Sequence, residues 1–391
     1  MHWSASLHTR LHCFNRKHSC RQTAAAPSTT PDELPVRTSR ALKLALLHAA
    51  KASALLALCR AATARTPRVL CYHGGSLGDE HEFNGKLFMR SETFSARVDW
   101  LRSKGFRPTG LHELVDALQG RKRIAAKSIA ITFDDGWYST ATCLLPHLQR
   151  FGYGSTLYLA TKVFEEGSPV LDVAVNYLVW RTRLEEVRFF GISHRLDGVW
   201  GLRSKAERQQ AAQAMLSHLQ DQQGDASSLE GTLRQLAVAM EIPPSVLALE
   251  SRRFHYVNQE ELLTLARAGT QVELHGHIHR YPLGQPEALR DDVQACRKRI
   301  VELGLPRPRH YCYPSGEFDE HAPFVLQAIG VESATTCLGS SPRRSVNAAN
   351  LHALPRFLDG EDVDMIEFEA EMSGLLHLLR GWRERFSRSV G

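Results

Sequence analysis

The chain lacks the cysteine spacing of a small metal-binding or disulfide-rich protein. Its eight cysteines are scattered through 391 residues, and no two of them form a Cys-x-x-Cys pair. This spacing argues against a zinc ribbon and a dense disulfide framework, and it favours reduced thiols. Low-complexity sequence is also missing beyond the N-terminal region, as in an ordinary globular protein. The length is sufficient for one α/β barrel of about 250 residues with additional segments.

Acidic residues are scarce in the first 66 residues. This segment holds ten Lys and Arg against two acidic residues, a net charge of +8, whereas the whole chain carries +6. The remainder is therefore near −2, and the basic character belongs to the N-terminal segment. Residues 1–39 are rich in Ser, Thr, Ala, Arg and His, which predicts a mobile tail.

Residues 41–62 favour a helix but contain no uncharged stretch long enough to cross a bilayer. The uncharged stretch at the C-terminal end, residues 52–59, is far below the about 20 residues that a membrane-spanning helix needs. Lys43, His48 and Lys51 suit a helix that lies on an anionic lipid surface. An amphipathic helix that packs on the rest of the protein fits equally well. With reduced thiols, these features favour a cytoplasmic or membrane-peripheral location over secretion.

Two adjacent carboxylates follow a strand-like segment. Residues 131–137 read Ile-Thr-Phe-Asp-Asp-Gly-Trp, and the β-branched, alternating run at 128–133 predicts a buried strand. Gly136 permits a sharp exit, so Asp134 and Asp135 lie at the C-terminal end of the strand. In α/β folds ligands and metals bind at that edge. A solvated Asp-Asp-Gly turn explains this stretch equally well when it is considered alone.

Three histidines in five positions follow a second strand-like segment. Residues 271–279 read Gln-Val-Glu-Leu-His-Gly-His-Ile-His. His275 and His279 have the i, i+4 spacing that places two side chains on one face of a helical turn, whereas His277 faces elsewhere. With Asp135 they form a two-His, one-carboxylate set, which suits zinc or another late first-row ion and leaves a position open for water. A surface histidine tract is the alternative.

These stretches resemble, in order, the first two motifs of the polysaccharide deacetylase (NodB homology) family of metal-dependent carbohydrate esterases. Residues 132–136 are similar to the first motif, and residues 275–279 are similar to the His-x-x-x-His metal motif. Residues 311–316, Tyr-Cys-Tyr-Pro-Ser-Gly, are similar to the third, which forms one side of the substrate groove. The resemblance to bacterial members covers about residues 67–360. It implies a distorted (β/α) barrel of about seven strands.

The resemblance also implies a function and a partner. It predicts a metal-dependent hydrolase that removes N-acetyl groups from a polysaccharide or oligosaccharide, in carbohydrate metabolism at the cell envelope. No nucleic-acid partner is expected. An esterase for O-acetyl groups or a hydrolase for small cyclic amides would use the same metal and water chemistry. An inactive, glycan-binding relative is a third reading, although both the carboxylate pair and the histidine pair are intact.

The family pattern assigns roles to the clustered residues. Carried over to this sequence, a divalent metal, expected to be zinc, is held by Asp135, His275 and His279. Asp134 is then the general base that takes the proton of the attacking water. A backbone N–H near Ser315 is expected to stabilise the oxyanion. The substrate groove is expected to include His73, Tyr313, Pro314 and Ser315.

The general acid is assigned on the final motif. Family members with a late Leu-x-His motif use its histidine, and His352 lies in the corresponding region, Asn-Leu-His-Ala-Leu-Pro-Arg at residues 350–356. His352 is therefore predicted as the acid that protonates the leaving amine. Arg356 is the alternative functional residue of this region, with a role in orienting Asp134. Cys312 stands where many relatives carry an arginine that tunes the base.

The order of predicted elements divides the chain into three parts. Strands and helices alternate over residues 67–360, which predicts parallel pairing with right-handed crossovers. An insertion at about residues 163–254 follows a barrel strand, so it either caps the groove or is a peripheral embellishment. The basic tail and amphipathic helix occupy residues 1–66, and a C-terminal helix occupies residues 361–391. Asn258 with Glu261 predicts a capping box at the start of a helix.

Overall fold

The computed structural model describes residues 34–192, 194–222, 226–337 and 348–379. The chain divides into two compact units, Met1–Lys43 and Leu44–Gly391. The predicted tail before residue 34 and the predicted C-terminal helix beyond residue 379 lie outside the described residues. All described elements belong to the second unit, except that helix α1 begins in the first.

The second unit alternates strands and helices. The described strands are β1 (Arg68–Tyr72), β2 (Gly74–Gly75), β3 (Phe88–Met89), β4 (Arg107–Pro108), β5 (Ser128–Asp135), β6 (Ser155–Leu159), β7 (Glu186–Phe189), β8 (Gly198–Gly201), β9 (Thr270–Leu274), β10 (His310–Cys312), β11 (Ser333–Thr336), β12 (Leu354–Pro355) and β13 (Phe357–Leu358). The described helices are α1 (Leu34–Ala52), α2 (Leu55–Ala62), α3 (Glu80–Phe83), α4 (Ser91–Ser103), α5 (Leu111–Leu118), α6 (Leu145–Gln149), α7 (Thr161–Glu166), α8 (Leu171–Arg181), α9 (Lys205–Asp221), α10 (Ala226–Ala239), α11 (Pro244–Leu247), α12 (Gln259–Arg267), α13 (Pro286–Glu302), α14 (Ala322–Ala328) and α15 (Met365–Ser373). A π-helical turn precedes α6 at Thr140–Leu144, and 3-10 turns lie at Leu249–Ser251, Pro314–Gly316 and Ala348–Ala353.

The main sheet closes on itself. Its strands are ordered β12-β11-β10-β9-β6-β5-β1-β13, with β4 added beside β5. Neighbours along this path pair in parallel, as expected for α/β crossovers. Leu354 of β12 pairs with β11 and Phe357 of β13 pairs with β1, so only Arg356 separates the two edges. One strand interrupted at Arg356 thus closes a barrel of seven strands, and the predicted distorted (β/α) barrel is confirmed.

The barrel interior is filled by alternate strand residues and by one helix. Inward side chains from five strands form a cluster with residues of α5, namely Val69, Ala130, Tyr158, Cys312 and Leu354 with Leu111, Leu114 and Val115. Strand residues of the opposite parity, such as Leu70 and Ile131, pack under the outer helices. Helix α5 follows β4, which pairs with the start of β5, so α5 closes the N-terminal end of the barrel. The strands' C-terminal end is left for the functional loops.

The insertion after β6 and α7 builds its own core. Buried residues from α8 to α11 and from the antiparallel pair β7 and β8 form a cluster separate from the barrel core. Its last segment returns beside the first motif, where the Tyr138 N–H donates to His255 and the Val257 N–H donates to Gly136, at 2.9 and 2.8 Å. The insertion is therefore fastened beside the turn that carries Asp134 and Asp135.

The second-unit part of α1 and helix α2 pack on α15. Leu47, Leu56 and Cys59 are buried in a cluster with side chains of α15, and Lys51 Nζ lies 2.7 Å from Glu369 Oε1. Leu46, Leu55 and Leu58 are exposed on the other side. Among the described helices none alone is long and apolar enough to cross a membrane, and residues Arg40–Ala52 and Leu55–Ala62 pass that test only as a pair bent by 77°.

Candidate metal centre and catalytic groove

Three side chains at the strands' C-terminal end bring their ligand atoms together. Asp135 Oδ1 lies 3.2 Å from His275 Nε2 and 3.0 Å from His279 Nε2. The two histidine nitrogens are 3.3 Å apart. A tetrahedral zinc ion with bonds of about 2.0–2.1 Å separates its ligand atoms by about 3.3–3.4 Å. The observed triangle has that size, so Asp135, His275 and His279 fit a divalent metal.

Left-handed backbone creates this convergence. Asp135 has a φ of 74° and His279 a φ of 54°, in a region that residues other than glycine rarely adopt. The prediction that the two histidines share a helical turn was wrong, because residues 275–280 form no helix. The loop instead curls through Gly276, with a φ of 81°, and Asp292 accepts the N–H groups of His277 and Ile278 at 3.0 and 2.8 Å.

Hydrogen bonds behind the ligands fix their orientation. His275 Nδ1 donates to the Cys312 carbonyl at 2.9 Å, which directs Nε2 toward the other two ligands. Trp137 Nε1 donates to Asp135 Oδ2 at 2.8 Å and leaves Oδ1 facing the histidines. Burial alone would raise the pKa of Asp135, but the two histidines hold that pKa well below its usual range. Asp135 is therefore a carboxylate, the form that binds a metal.

The neighbouring Asp134 has a different environment. Arg356 grips it with two parallel hydrogen bonds of 2.6 Å, from Nη1 to Oδ1 and from Nη2 to Oδ2. The thiols of Cys71 and Cys312 also lie 3.5 Å from Oδ2. Burial opposes ionisation, but the Arg356 charge and the nearby histidines outweigh it and lower the pKa of Asp134. A carboxylate held ready to accept a proton suits a general base.

Arg356 supplies the guanidinium that the third motif lacks. Cys312 occupies the position where many relatives have arginine, and its sulfur lies 3.0 Å from Arg356 Nη2. The arginine comes from the interruption in the closing strand and is fully buried. The interpretation that Arg356 orients Asp134 agrees with this geometry.

Two histidines compete for the role of general acid. His73, just after β1, is mostly buried, with Nε2 3.8 Å from Asp134 Oδ2 and with Nδ1 buried and unpartnered. His352 instead donates from Nε2 to the carbonyl of Val331, which precedes β11. Its described contacts include neither Asp134 nor the metal ligands. The contacts therefore favour His73, and they give no support to His352 as the acid.

Some residues of the third motif are buried in the core, and one is exposed beside the groove. Tyr313 and Pro314 are buried, and the Tyr313 hydroxyl donates to the backbone carbonyl of His352 at 2.9 Å. The expectation that Tyr313 lines the groove therefore finds no support. Ser315 is exposed and has a φ of 56°, which turns the backbone sharply after β10. Among the four predicted groove residues, His73 and Ser315 are the ones that retain exposed surface.

Several supporting residues were not predicted from the sequence. Cys337 Sγ lies 3.2 Å from Arg356 Nη2, and Cys71 contacts Asp134 from β1. Trp137 holds Asp135, and Asp292 holds the histidine loop from α13. Only Trp137 had a local signal, since it follows the carboxylate pair by two residues. The others are brought in by strand pairing and helix packing.

Comparisons with known proteins agree with this architecture. Residues 239–334, which contain the second and third motifs, match the family model described as "Polysaccharide deacetylase". A curated relative, poly-beta-1,6-N-acetyl-D-glucosamine N-deacetylase from Escherichia coli (strain K12), is 22% identical over 297 residues. That match covers 75% of this chain and 37% of the relative, so the chain spans little more than a third of the relative's length.

A solved structure provides the comparison of folds. Streptococcus pyogenes deacetylase PplD, solved in complex with acetate, superposes with a TM-score of 0.50. The match covers 80% of this chain and 97% of that protein at 14% sequence identity, so the likeness concerns the fold. In fold, and in the stretch at residues 239–334, the chain is therefore similar to polysaccharide deacetylases.

Proposed function

We propose that the protein is a metal-dependent hydrolase that removes N-acetyl groups from a polysaccharide. The observation that carries the proposal is the pairing of two adjacent carboxylates in different roles. Asp135 joins two histidines in a metal-sized triangle, and Asp134 is held ionised by Arg356 beside it. A poly-N-acetylglucosamine chain with β-1,6 linkages is the first substrate to test, because the curated relative is named for it.

Zinc is the metal we propose for Asp135, His275 and His279. Two imidazole nitrogens and one carboxylate oxygen are the ligands of many catalytic zinc sites, which keep a further position for water or substrate. When bound, the ion supplies Lewis acidity toward the acetamide carbonyl and toward water.

The chain's own residues perform the proton transfers and hold the substrate. Asp134 accepts the proton of the attacking water, and Arg356 keeps the carboxylate in place through both oxygens. The Ser315 N–H, at the left-handed turn after β10, donates to the oxygen of the tetrahedral centre. His73 donates a proton to the departing nitrogen, because a free amine leaves only after protonation. The products are acetate and a glucosamine unit.

The test compares substitutions at the two adjacent carboxylates. Zinc-loaded protein is incubated with β-1,6-linked and β-1,4-linked N-acetylglucosamine oligomers and with O-acetylated xylan, and released acetate and free amine are measured. Asp134→Asn should retain zinc and lose about 10²–10⁴-fold in kcat, as expected for a missing general base. Asp135→Asn should lose both the zinc held by this triangle and the activity.

The outcomes separate the alternative functions. Acetate without free amine, released only from xylan, would identify an O-acetyl esterase. Zinc-loaded protein that binds the oligomers but releases no acetate would indicate a glycan-binding relative. Full zinc content in Asp135→Asn, with an unchanged melting temperature, would show that the ligand set is wrong.

We also propose that residues 41–62 rest on an anionic membrane surface in the bacterial cytoplasm. Leu46, Leu55 and Leu58 are 61%, 41% and 67% exposed, and the first 66 residues carry the excess of positive charge. Sedimentation with phosphatidylglycerol vesicles should exceed sedimentation with phosphatidylcholine vesicles. A Leu46→Ser/Leu55→Ser/Leu58→Ser variant should lose the difference, and equal binding to both lipids would contradict the proposal. Fractionation of tagged cells tests the location.

A further inference from the structure

A second cluster of metal-ligating side chains lies in the barrel interior, on the α5 side of the catalytic centre. His112 of α5, Glu273 of β9 and His310 of β10 each present one ligand atom, and these atoms lie within 4.8 Å of one another. Glu273 Oε1 is 2.5 Å from His112 Nε2, and the two imidazole ring centres are 4.9 Å apart. Two imidazoles and one carboxylate are the same kinds of donor as in the catalytic centre.

One buried nitrogen in this cluster has no partner. His310 is fully buried, and its Nδ1 lies 2.9 Å from Ser333 Oγ. Its Nε2 has no hydrogen-bond partner. Buried polar atoms in folded proteins are rarely left unpaired, so this nitrogen calls for an explanation. A cation held jointly with His112 and Glu273 would satisfy this nitrogen.

The carboxylate is held in position from its other oxygen. Glu273 Oε2 accepts the backbone N–H groups of Arg309 and His310 at 2.7 and 2.6 Å, so Oε1 is the oxygen that faces the imidazoles. Glu273 is 1% exposed, whereas the His112 side chain is 25% exposed and gives an entering ion a route from solvent. Fixed carboxylates and oriented imidazoles are the support that metal sites need.

The nearby positive charge is compensated. Arg309 lies beside the cluster, but its guanidinium contacts Glu332 Oε1 at 2.6 Å and Asp116 Oδ1 at 2.8 Å. Arg121 contacts the same two carboxylates. These two arginines and two carboxylates balance, and among the described ion pairs Glu273 is joined only to His112. A divalent cation is therefore electrostatically acceptable there.

We propose that His112, Glu273 and His310 form a second binding site for a zinc-class divalent cation. The ion links α5 to β9 and β10 and closes the N-terminal end of the barrel. This role is structural, since the described contacts of His112, Glu273 and His310 include neither Asp134 nor the three residues of the catalytic metal triangle. It does not depend on the proposed deacetylase activity.

The test counts zinc in the full-length protein. Protein stripped with a chelator is titrated with Zn²⁺ against a chromophoric competitor, and bound zinc is confirmed by elemental analysis. The wild type should bind two equivalents. Asp135→Asn/His279→Ala should retain one, and His310→Gln or His112→Gln should each retain one. Zinc should also raise the melting temperature of Asp135→Asn/His279→Ala.

Each result decides the proposal. One equivalent in the wild type and none in Asp135→Asn/His279→Ala would overturn it, and a buried water would then be the partner of His310. Two equivalents in both His310→Gln and His112→Gln would also overturn it. If His310→Gln fails to fold, His112→Gln decides alone, because His112 lies at the surface. Failure of the catalytic centre would look different, with one equivalent in the wild type that persists in Asp135→Asn/His279→Ala.

Discussion

The two candidate metal clusters hold similar residues in different backbone conformations. At the C-terminal end, Asp135, His279 and Ser315 all have left-handed backbone, and the side chains face a groove. In the cluster next to α5, Glu273 and His310 lie in regular strands and His112 lies in a helix. Strained backbone persists only where the surroundings enforce it, and it is concentrated at functional sites.

The difference shows how one fold separates chemistry from stability. Loops after the strands converge on an accessible point, because their residues are free of the pleat and bend sharply. Residues within strands and α5 are fixed by the sheet, so their cluster closes the barrel. Substitutions in the catalytic cluster should therefore change activity more than stability, and those in the cluster next to α5 should do the reverse.

The largest expected effect distinguishes the two candidate acids. His73→Gln should lower kcat by about 10²–10⁴-fold, because it removes a proton donor next to the reacting centre. His352→Gln should change kcat less than threefold, since its imidazole bonds to a backbone carbonyl outside the cluster. Acetate release at fixed zinc content measures both. A larger loss in His352→Gln than in His73→Gln would identify His352 as the acid.

Two arginines, the buried Arg356 and the partly exposed Arg309, provide the next test. Arg356→Lys keeps the charge but loses the paired geometry on Asp134, so kcat should fall and the protein should lose about 1–3 kcal/mol of stability. Arg309→Lys, whose side chain is 29% exposed, should cost less than about 1 kcal/mol and leave kcat unchanged. Urea denaturation and steady-state kinetics check both. Equal effects of the two substitutions on kcat and stability would contradict the expected difference between the two clusters.

A smaller effect is expected behind the metal ligands. Trp137→Phe removes the indole donor to Asp135 Oδ2 and should weaken zinc binding by about 10–100-fold. Trp200→Phe is the matched control, because its indole donates to the Leu196 carbonyl within the insertion. Competition with a zinc chelator gives both affinities. An unchanged zinc affinity in Trp137→Phe would mean that the hydrogen bond from Trp137 is not needed to orient Asp135.

The smallest expected effect concerns how Glu332 contributes to the stability of the protein in acid. Hydrogen bonds from Arg309, and then from Arg121, lower the pKa of Glu332 from 4.5 to about 2. A depressed carboxylate pKa contributes stability above pH 4.5, and this contribution is lost as the pH falls toward 2. Glu332→Gln should therefore cost about 1 kcal/mol at pH 7 and little at pH 2. A difference that is constant between these pH values would contradict the linkage.

Much of the fold could be predicted from the sequence, because its local signals are strong. The strand predicted at residues 128–133 is present as part of β5, and the predicted capping box is present, with the Glu261 N–H donating to Asn258 Oδ1 at 2.9 Å. The closing strand was harder to predict. It is two short pieces around Arg356, and such a break depends on pairing with two different neighbours. Sequence periodicity contains no information about those partners.

The candidate site, like the fold, could be predicted from the sequence only in part. Motif order was sufficient to bring Asp135, His275 and His279 to one strand edge, although the histidines lie on a curled loop and not on the predicted helical turn. Positive φ angles depend on tertiary contacts, such as Asp292 with the histidine loop, and no local pattern predicts them. The assignment of His352 followed a family position, whereas the direction of its side chain depends on the carbonyl of Val331.

The interrupted closing strand has a consequence for the order of folding. Arg356 and Asp134 are 222 residues apart in the chain, so their contact is among the most expensive in loop entropy and is expected to form late. Until it forms, Asp134 sits in the barrel without its counter-charge, and the two edges of the sheet remain unpaired. A chain released from the ribosome before residue 356 would therefore lack both the closed sheet and the counter-charge of the proposed base. Activity through the proposed base Asp134 therefore requires that this closing strand has docked.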